Sequence, residues 1–168
     1  MPYAIAIEPE ASPADLEAVH AGLRAYNGQF VSFEGASTLN IFLRDEHGAL
    51  AGGLLGHIQW GWLTVEILWL AEAARGQDFG SRMLALAEDT ARQQGCRHAA
   101  LDTTSWQALP FYLKHGYSVW GELEDFPPGQ KRIFLRKDLT TPHPPFPALR
   151  SGISDLNGKG VPSVSEDL

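Results

Sequence analysis

Two hydrophobic periods alternate along the chain and divide its first 139 residues into strands and helices. Tyr3–Ile7 reads as a short strand. The stretch SPADLEAVHAGLRAYN carries Leu16, Val19 and Leu23 at helical spacing, with Ser12 placed to cap the helix and Pro13 at its first position. TLNIFLRDEHGALAGGLLGHIQ has the two arms of a hairpin, Leu39–Arg44 and Ala49–Gln59, about a turn at Asp45–Gly48. WLTVEILWLA is a dense apolar run suited to a central strand.

From about Gly80 to Gln94 the period becomes helical again. Met83, Leu84, Ala87 and Ala91 line one face, and Gly95 stands where a helix C-terminus favours glycine. RHAALDT is a further short strand. QALPFYLKHG predicts another helix, with Pro110 tolerable only in its first turn and Gly116 ending it. YSVWGEL and KRIFLRKDL predict antiparallel strands around the loop EDFPPGQ, and no internal repeat is visible. Beyond Leu139 the pattern stops. Thr140–Leu168 holds five of the eleven prolines and no apolar period, too little to offset its ordering entropy. Residues 1–139 are therefore expected to form one domain, and residues 140–168 a mostly disordered tail; the alternative is that Phe146 and Leu149 dock on a partner subunit.

Composition narrows the classes. A net charge of -7 argues against nucleic acid as the main partner and fits a cationic small partner better. Cys96 is the only cysteine, so no intramolecular disulfide forms. No apolar run approaches the roughly 18–20 residues that span a bilayer, and MPYAIAIEPE lacks the basic and apolar blocks of a signal peptide. A cytoplasmic protein with no membrane partner is the expectation. The six histidines show no ligand spacing, so no metal site is expected. Ser105 lies in a polar turn without a nucleophile elbow, and Cys96 beside a glycine suits a small buried role.

The segment ARGQDFGSRML places glycines between a strand and a helix, where free backbone N–H groups and the helix dipole favour an anion such as a pyrophosphate. No Gly-Lys-Ser/Thr triplet follows, and RGQDFGS is not the dinucleotide fingerprint. The segment TVEILWLAEAARGQDFGSRMLALAE resembles the acetyl-CoA-binding motif of the GNAT superfamily of N-acetyltransferases. Arg75, Gly76, Gln77, Phe79 and Gly80 fit its loop, with Asp78 in place of the middle glycine, and Ser81 opens the helix. Roughly thirty residues later, PFYLKHGYSVW resembles the second mark of the family, an aromatic-Tyr helix followed by Gly and an aromatic strand. The likeness covers roughly Leu39 to Leu139.

The resemblance implies an α/β fold with a mixed, mostly antiparallel central sheet of six or seven strands flanked by about four helices. It implies acetyl-CoA as cosubstrate and a primary amine of a small molecule or peptide as acceptor, with direct transfer in a ternary complex. It also implies a strand that splays from its neighbour, so that backbone groups of Trp69, Leu70 and Ala71 meet the pantetheine arm. The family is often dimeric, which leaves a homodimer open. Asp tolerates left-handed backbone better than most residues, so Asp78 can take a glycine's conformation and aim its carboxylate at solvent; the rival reading is that it weakens the cradle by repulsion.

Transfer to an amine needs a base for an ammonium whose free pKa is near ~10, and an acid for the leaving thiolate. Glu66 is the sole charged residue between Gly61 and Ala71, and burial there should raise its pKa toward useful values. Several members of the resembling family carry a base glutamate nine positions before the Arg, the spacing of Glu66 and Arg75. Tyr112 sits on a helix face with Leu109 and His115, and in many family members the tyrosine of this helix acts on the CoA sulfur. Asp102 reads as a helix-terminal acid or a second base. Trp60 and Trp62 read as core residues or walls of an acceptor site, and Glu122, Glu124 and Asp125 as a solvated acidic patch or a lure for a cationic amine. Two rival functions stand beside the enzyme: a non-catalytic acyl-CoA sensor, and an interaction domain without ligand.

Overall fold

A computed structural model of the chain describes residues 3–141. Six strands form one sheet: β1 Ser37–Arg44, β2 Leu50–Gln59, β3 Trp62–Leu70, β4 His98–Thr104, β5 Ser118–Glu124 and β6 Lys131–Asp138, in the order β1-β2-β3-β4-β6-β5. Every neighbouring pair is antiparallel except β3 and β4. The helices are α1 Pro13–Asn27, α2 Phe79–Gln93 and α3 Leu109–Lys114, with a 3-10 turn at Glu72–Ala74.

The core follows the two periods. Leu54, Ile58, Leu63, Val65, Ala99, Leu101, Ile133 and Leu135 alternate with outward residues along β2, β3, β4 and β6, while Met83, Leu84, Ala87 and Ala91 recur along α2. Burying both sets together removes each from water, which is the main stabilising term of the fold. Cys96 is buried in this core. α2 is the crossover that a parallel β3–β4 pair requires. It ends at Gly95, whose positive φ of 81° suits the C-terminal glycine.

Ahead of β1, one expected element is missing and the other forms without the burial expected of its apolar face. Tyr3–Ile7 forms no strand; its backbone has no sheet partner, and Tyr3, Ile5 and Ile7 are almost fully exposed. An alternating apolar pattern yields a strand only where a neighbouring edge receives its backbone groups. α1 does form, capped by Ser12, whose Oγ accepts from the Asp15 N–H at 3.1 Å, and led by Pro13. Yet no α1 residue is buried, and Leu16, Val19 and Leu23 face solvent. Of the expected tail, all but Thr140 and Thr141 lies outside the described residues.

Candidate active site

β3 and β4 pair only over their first halves, Trp62–Val65 against His98–Leu101. Beyond that point β3 stays with β2 up to Gly52↔Leu70, and β4 stays with β6 up to Thr104↔Arg132. The sheet therefore opens into a crevice at the C-terminal ends of its two parallel strands. Part of the cause lies in β3, where the register passes from Gly56↔Val65 to Leu55↔Ile67 and leaves Glu66 as an unpaired bulge residue. A bulge bends its strand and raises the local twist. The crevice holds a cavity of about 650 Å³, lined by β3 from Glu66 to Leu70, by Arg75 and Gly80, by Asp102 and Thr103, and by Trp106, Phe111 and Tyr112 at the start of α3.

Strand residues turn their N–H and C=O alternately to the two neighbours. Ala71 N–H donates to the Ala51 carbonyl at 2.9 Å, so it is spent on the β2 side and cannot also serve a ligand in the crevice. Trp69 shares that side. Leu70 faces the crevice, and its carbonyl accepts from Arg75 Nε at 3.2 Å. The expected trio thus reduces to Leu70, with Leu68 as the next residue turned the same way.

The loop after β3 carries two left-handed residues, Gly76 at φ 73° and Asp78 at φ 58°, ψ 7°. Asp78 is the N-cap of α2, but its side chain accepts no cap hydrogen bond. The first intrahelical bond runs from Arg82 N–H to the Asp78 carbonyl, so the N–H groups of Phe79, Gly80 and Ser81 remain open to an anion. No acid stands in the first turn, where Arg82 stacks on Phe79. Gln77 turns back, its Nε2 donating to the Ala73 carbonyl at 2.8 Å.

Glu66 and Tyr112 line the same cavity, the one from β3 and the other from α3. Glu66 is not the buried carboxylate that its apolar neighbours suggested. The bulge turns it and Ile67 to the open face of the sheet, where its side chain is 55% exposed and its Oε1 meets His57 Nδ1 at 2.9 Å. Tyr112 is buried, edge-on to Phe111 and Tyr117. Burial first, and then the Asp102 carboxylate, push its hydroxyl above the ordinary tyrosine value, so it stays protonated. Asp102 makes a two-point bond to Arg132, at 2.7 and 2.8 Å, which answers most of its charge. His115, on the same helix face as Tyr112, spends Nδ1 on the Phe111 carbonyl.

Trp60 and Trp62 do not wall the crevice. Trp60 stands in the turn between β2 and β3, bonded to the Ser32 carbonyl, and Trp62 stacks on His98. Both lie at or just before the N-terminal end of β3, and at ~3.3 Å per strand residue the crevice begins well beyond them. Trp69 and Trp106 supply aromatic walls, and Trp106 carried no signal in the sequence because it falls beside Ser105 in the short polar turn between the strand RHAALDT and the helix QALPFYLKHG. The acidic patch is a turn device: Glu122 and Glu124 both pair with Lys131, and Asp125 Oδ1 accepts from the Gly129 N–H. Among the described residues no group of three acids, histidines or cysteines could hold a metal ion, and no helix is long and apolar enough to cross a membrane.

A family model described as the acetyltransferase (GNAT) family matches residues 7–117. The blasticidin-S acetyltransferase of Streptomyces morookaense is 45% identical over 95 residues, which is 56% of this chain and 70% of that protein. An acetyltransferase of Agrobacterium fabrum is 37% identical over 121 residues, 72% of this chain and 88% of its own length. Among solved structures, one described as an acetyltransferase of Agrobacterium tumefaciens superposes with a TM-score of 0.76 at 34% identity, covering 81% of this chain and 99% of that one.

Proposed function

The chain belongs to the acetyltransferase (GNAT) family, and from that premise we propose that it moves an acetyl group from acetyl-CoA to a primary amine of a small molecule, by direct attack in a ternary complex. That it is an acetyl-transferring enzyme rests on its relatives; the cosubstrate, the acceptor and the roles of the residues are our reading of the site.

The observation that carries it is one crevice with a candidate base from β3, a protonated hydroxyl from α3, and an open helix N-terminus at its mouth. The N–H groups of Phe79, Gly80 and Ser81 would hold the pyrophosphate, with Leu70 and Leu68 pairing with the arm behind it. Acetyl-CoA supplies the acyl group as a thioester. Glu66 takes the proton that the ammonium must lose before its nitrogen can attack the thioester carbon. As the C–S bond breaks, Tyr112 gives its proton to the departing sulfur and is reprotonated through solvent by the second proton that the acylated nitrogen loses, so that amide, CoA thiol and the proton on Glu66 account for every bond changed. A blasticidin-S acetyltransferase at 45% identity supports a small-molecule acceptor. The carboxylate of Glu66 and the indoles of Trp69 and Trp106 on the lining of one cavity support a cationic one.

Calorimetric titration tests the reading. Acetyl-CoA is expected to bind in the micromolar range where NAD does not, and a panel of cationic small-molecule amines to yield acetylated product with release of CoA thiol. No heat with acetyl-CoA would remove the cradle; binding without turnover on any amine would leave an acyl-CoA sensor.

A further inference from the structure

We infer that His57 is a positioning residue for this site, holding the Glu66 carboxylate in the orientation from which it meets the amine; the inference rests on the acetyl-transfer reading above. Three features of the hairpin build the contact. The first is the bulge, which brings Glu66 to the open face beside the residue paired with Thr64, and that residue is His57. The second is Gly56, next to His57. A Cβ there would stand 2.2 Å from the Thr64 carbonyl oxygen, so only glycine lets the two backbones close at the bulge. The third is the bond itself, His57 Nδ1 to Glu66 Oε1 at 2.9 Å.

A carboxylate can only accept, so Nδ1 carries the proton in this pair and Nε2 is left bare or protonated toward solvent. The bond engages Oε1 and leaves Oε2 without a protein partner among the described residues. His57 does not line the cavity, whereas Glu66 does; it therefore acts through Glu66 and touches no reactant. A half-exposed glutamate without a partner samples several rotamers, and a group that must take a proton at hydrogen-bond distance loses rate in proportion. Oε2 accepts the ammonium proton while the Nδ1–H bond to Oε1 persists, and the proton then leaves to solvent from the half-exposed carboxyl.

The test pairs kinetics with a readout that needs no turnover. His57→Ala is expected to lower kcat by about 10- to 100-fold, the loss typical of a misplaced reacting group, with KM for acetyl-CoA unchanged. His57→Asn, whose Nδ2 can donate from the position of Nδ1, should recover most of the rate. Glu66→Gln with His57→Ala should be no slower than Glu66→Gln alone. In the parent protein, ¹⁵N NMR of His57 should show a protonated Nδ1, and Glu66→Ala should abolish that preference. Full kcat in His57→Ala, failure of His57→Asn to recover rate, or a bare Nδ1 beside Glu66 would each overturn the role of His57 while acetyl transfer by the parent stands. If the parent binds acetyl-CoA but acetylates no amine, the acetyl-transfer reading falls, and this inference falls with it.

Discussion

Two glutamates of this protein each face a basic partner, and they live under opposite conditions. Glu88, in the middle of α2, is 2% exposed, with Lys137 Nζ at 2.6 Å and Arg92 at 3.5 Å. Glu66, on the bulge of β3, is 55% exposed and meets only His57. The buried carboxylate is held by two fixed cations on Oε2, while its Oε1 lies buried without a hydrogen-bond partner and away from the crevice lining. The half-exposed one keeps an oxygen for something that is not protein. Burial alone therefore does not mark the reacting acid; an open coordination site on a cavity wall does.

Changing each glutamate's surroundings should break different properties. The largest effect expected is on rate. Glu66→Gln should lower kcat by about 10²- to 10⁴-fold, the usual contribution of a general base. Its melting temperature should stay within a degree or two of the parent's, since an exposed pair contributes little to stability. Steady-state kinetics beside a thermal melt reads both; an unchanged pH–rate profile would mean that Glu66 is not the base.

Lys137→Met should do the reverse. It strands a buried carboxylate with Arg92 alone, and breaking a buried pair from one side costs about 3–5 kcal/mol, readable by urea unfolding. Adding Glu88→Gln should recover most of that loss, because removing both charges leaves nothing uncompensated. Acetyl-CoA affinity of the folded single variant should match the parent's. If the single variant is as stable as the parent, Glu88 is not the locked group described here.

A smaller effect separates the two sides by pH. The Tyr117 hydroxyl is buried without a hydrogen-bond partner, close enough to Glu88 to feel its charge. Burial first, and the Glu88 charge next, raise its pKa well above the ordinary tyrosine value. The folded protein therefore keeps a proton that the unfolded chain releases near pH ~10, so stability is full below that pH and falls as pH rises toward the folded pKa. Tyr117→Phe should flatten this alkaline loss in melts taken above pH ~10, and leave stability at neutral pH unchanged or slightly higher. Parallel alkaline curves for parent and variant would refute it.

How much of this was legible in the sequence depends on whether the signal was local. The helix-former pattern of α2, its glycine at Gly95 and the hairpin arms were readable because period and turn chemistry are written in adjacent residues. Asp78 was readable for the same reason: its side chain is one of the few that tolerate φ 58°. The environment of Glu66 was not. An isolated charge in an apolar run predicts burial when the strand is regular, and nothing in WLTVEILWLA announces a bulge that turns two successive residues outward. His57 was missed because its partner stands nine residues away, across a hairpin whose irregular register only the structure supplies. The exposed face of α1 and the unpaired Tyr3–Ile7 make the complementary point, since periodicity describes which residues could be buried together and not what they meet.

The smallest effect concerns Asp78 itself, on the side of the comparison where charge meets ligand rather than protein. Its backbone supplies the left-handed turn before α2, and its carboxylate caps nothing. Glycine would hold the same turn without strain, gaining back what a side chain loses there, and would free the unfolded chain by a similar amount, so the two stability effects nearly cancel. What remains is one negative charge removed from a helix N-terminus, a change of about 0.3–1 kcal/mol in favour of a bound pyrophosphate, or a two- to fivefold lower Kd for acetyl-CoA. Titration of Asp78→Gly at two ionic strengths reads it, and the gain should shrink at the higher salt as the charge is screened. A weaker Kd in the variant would instead give Asp78 a positive part in binding, through a contact that glycine cannot make.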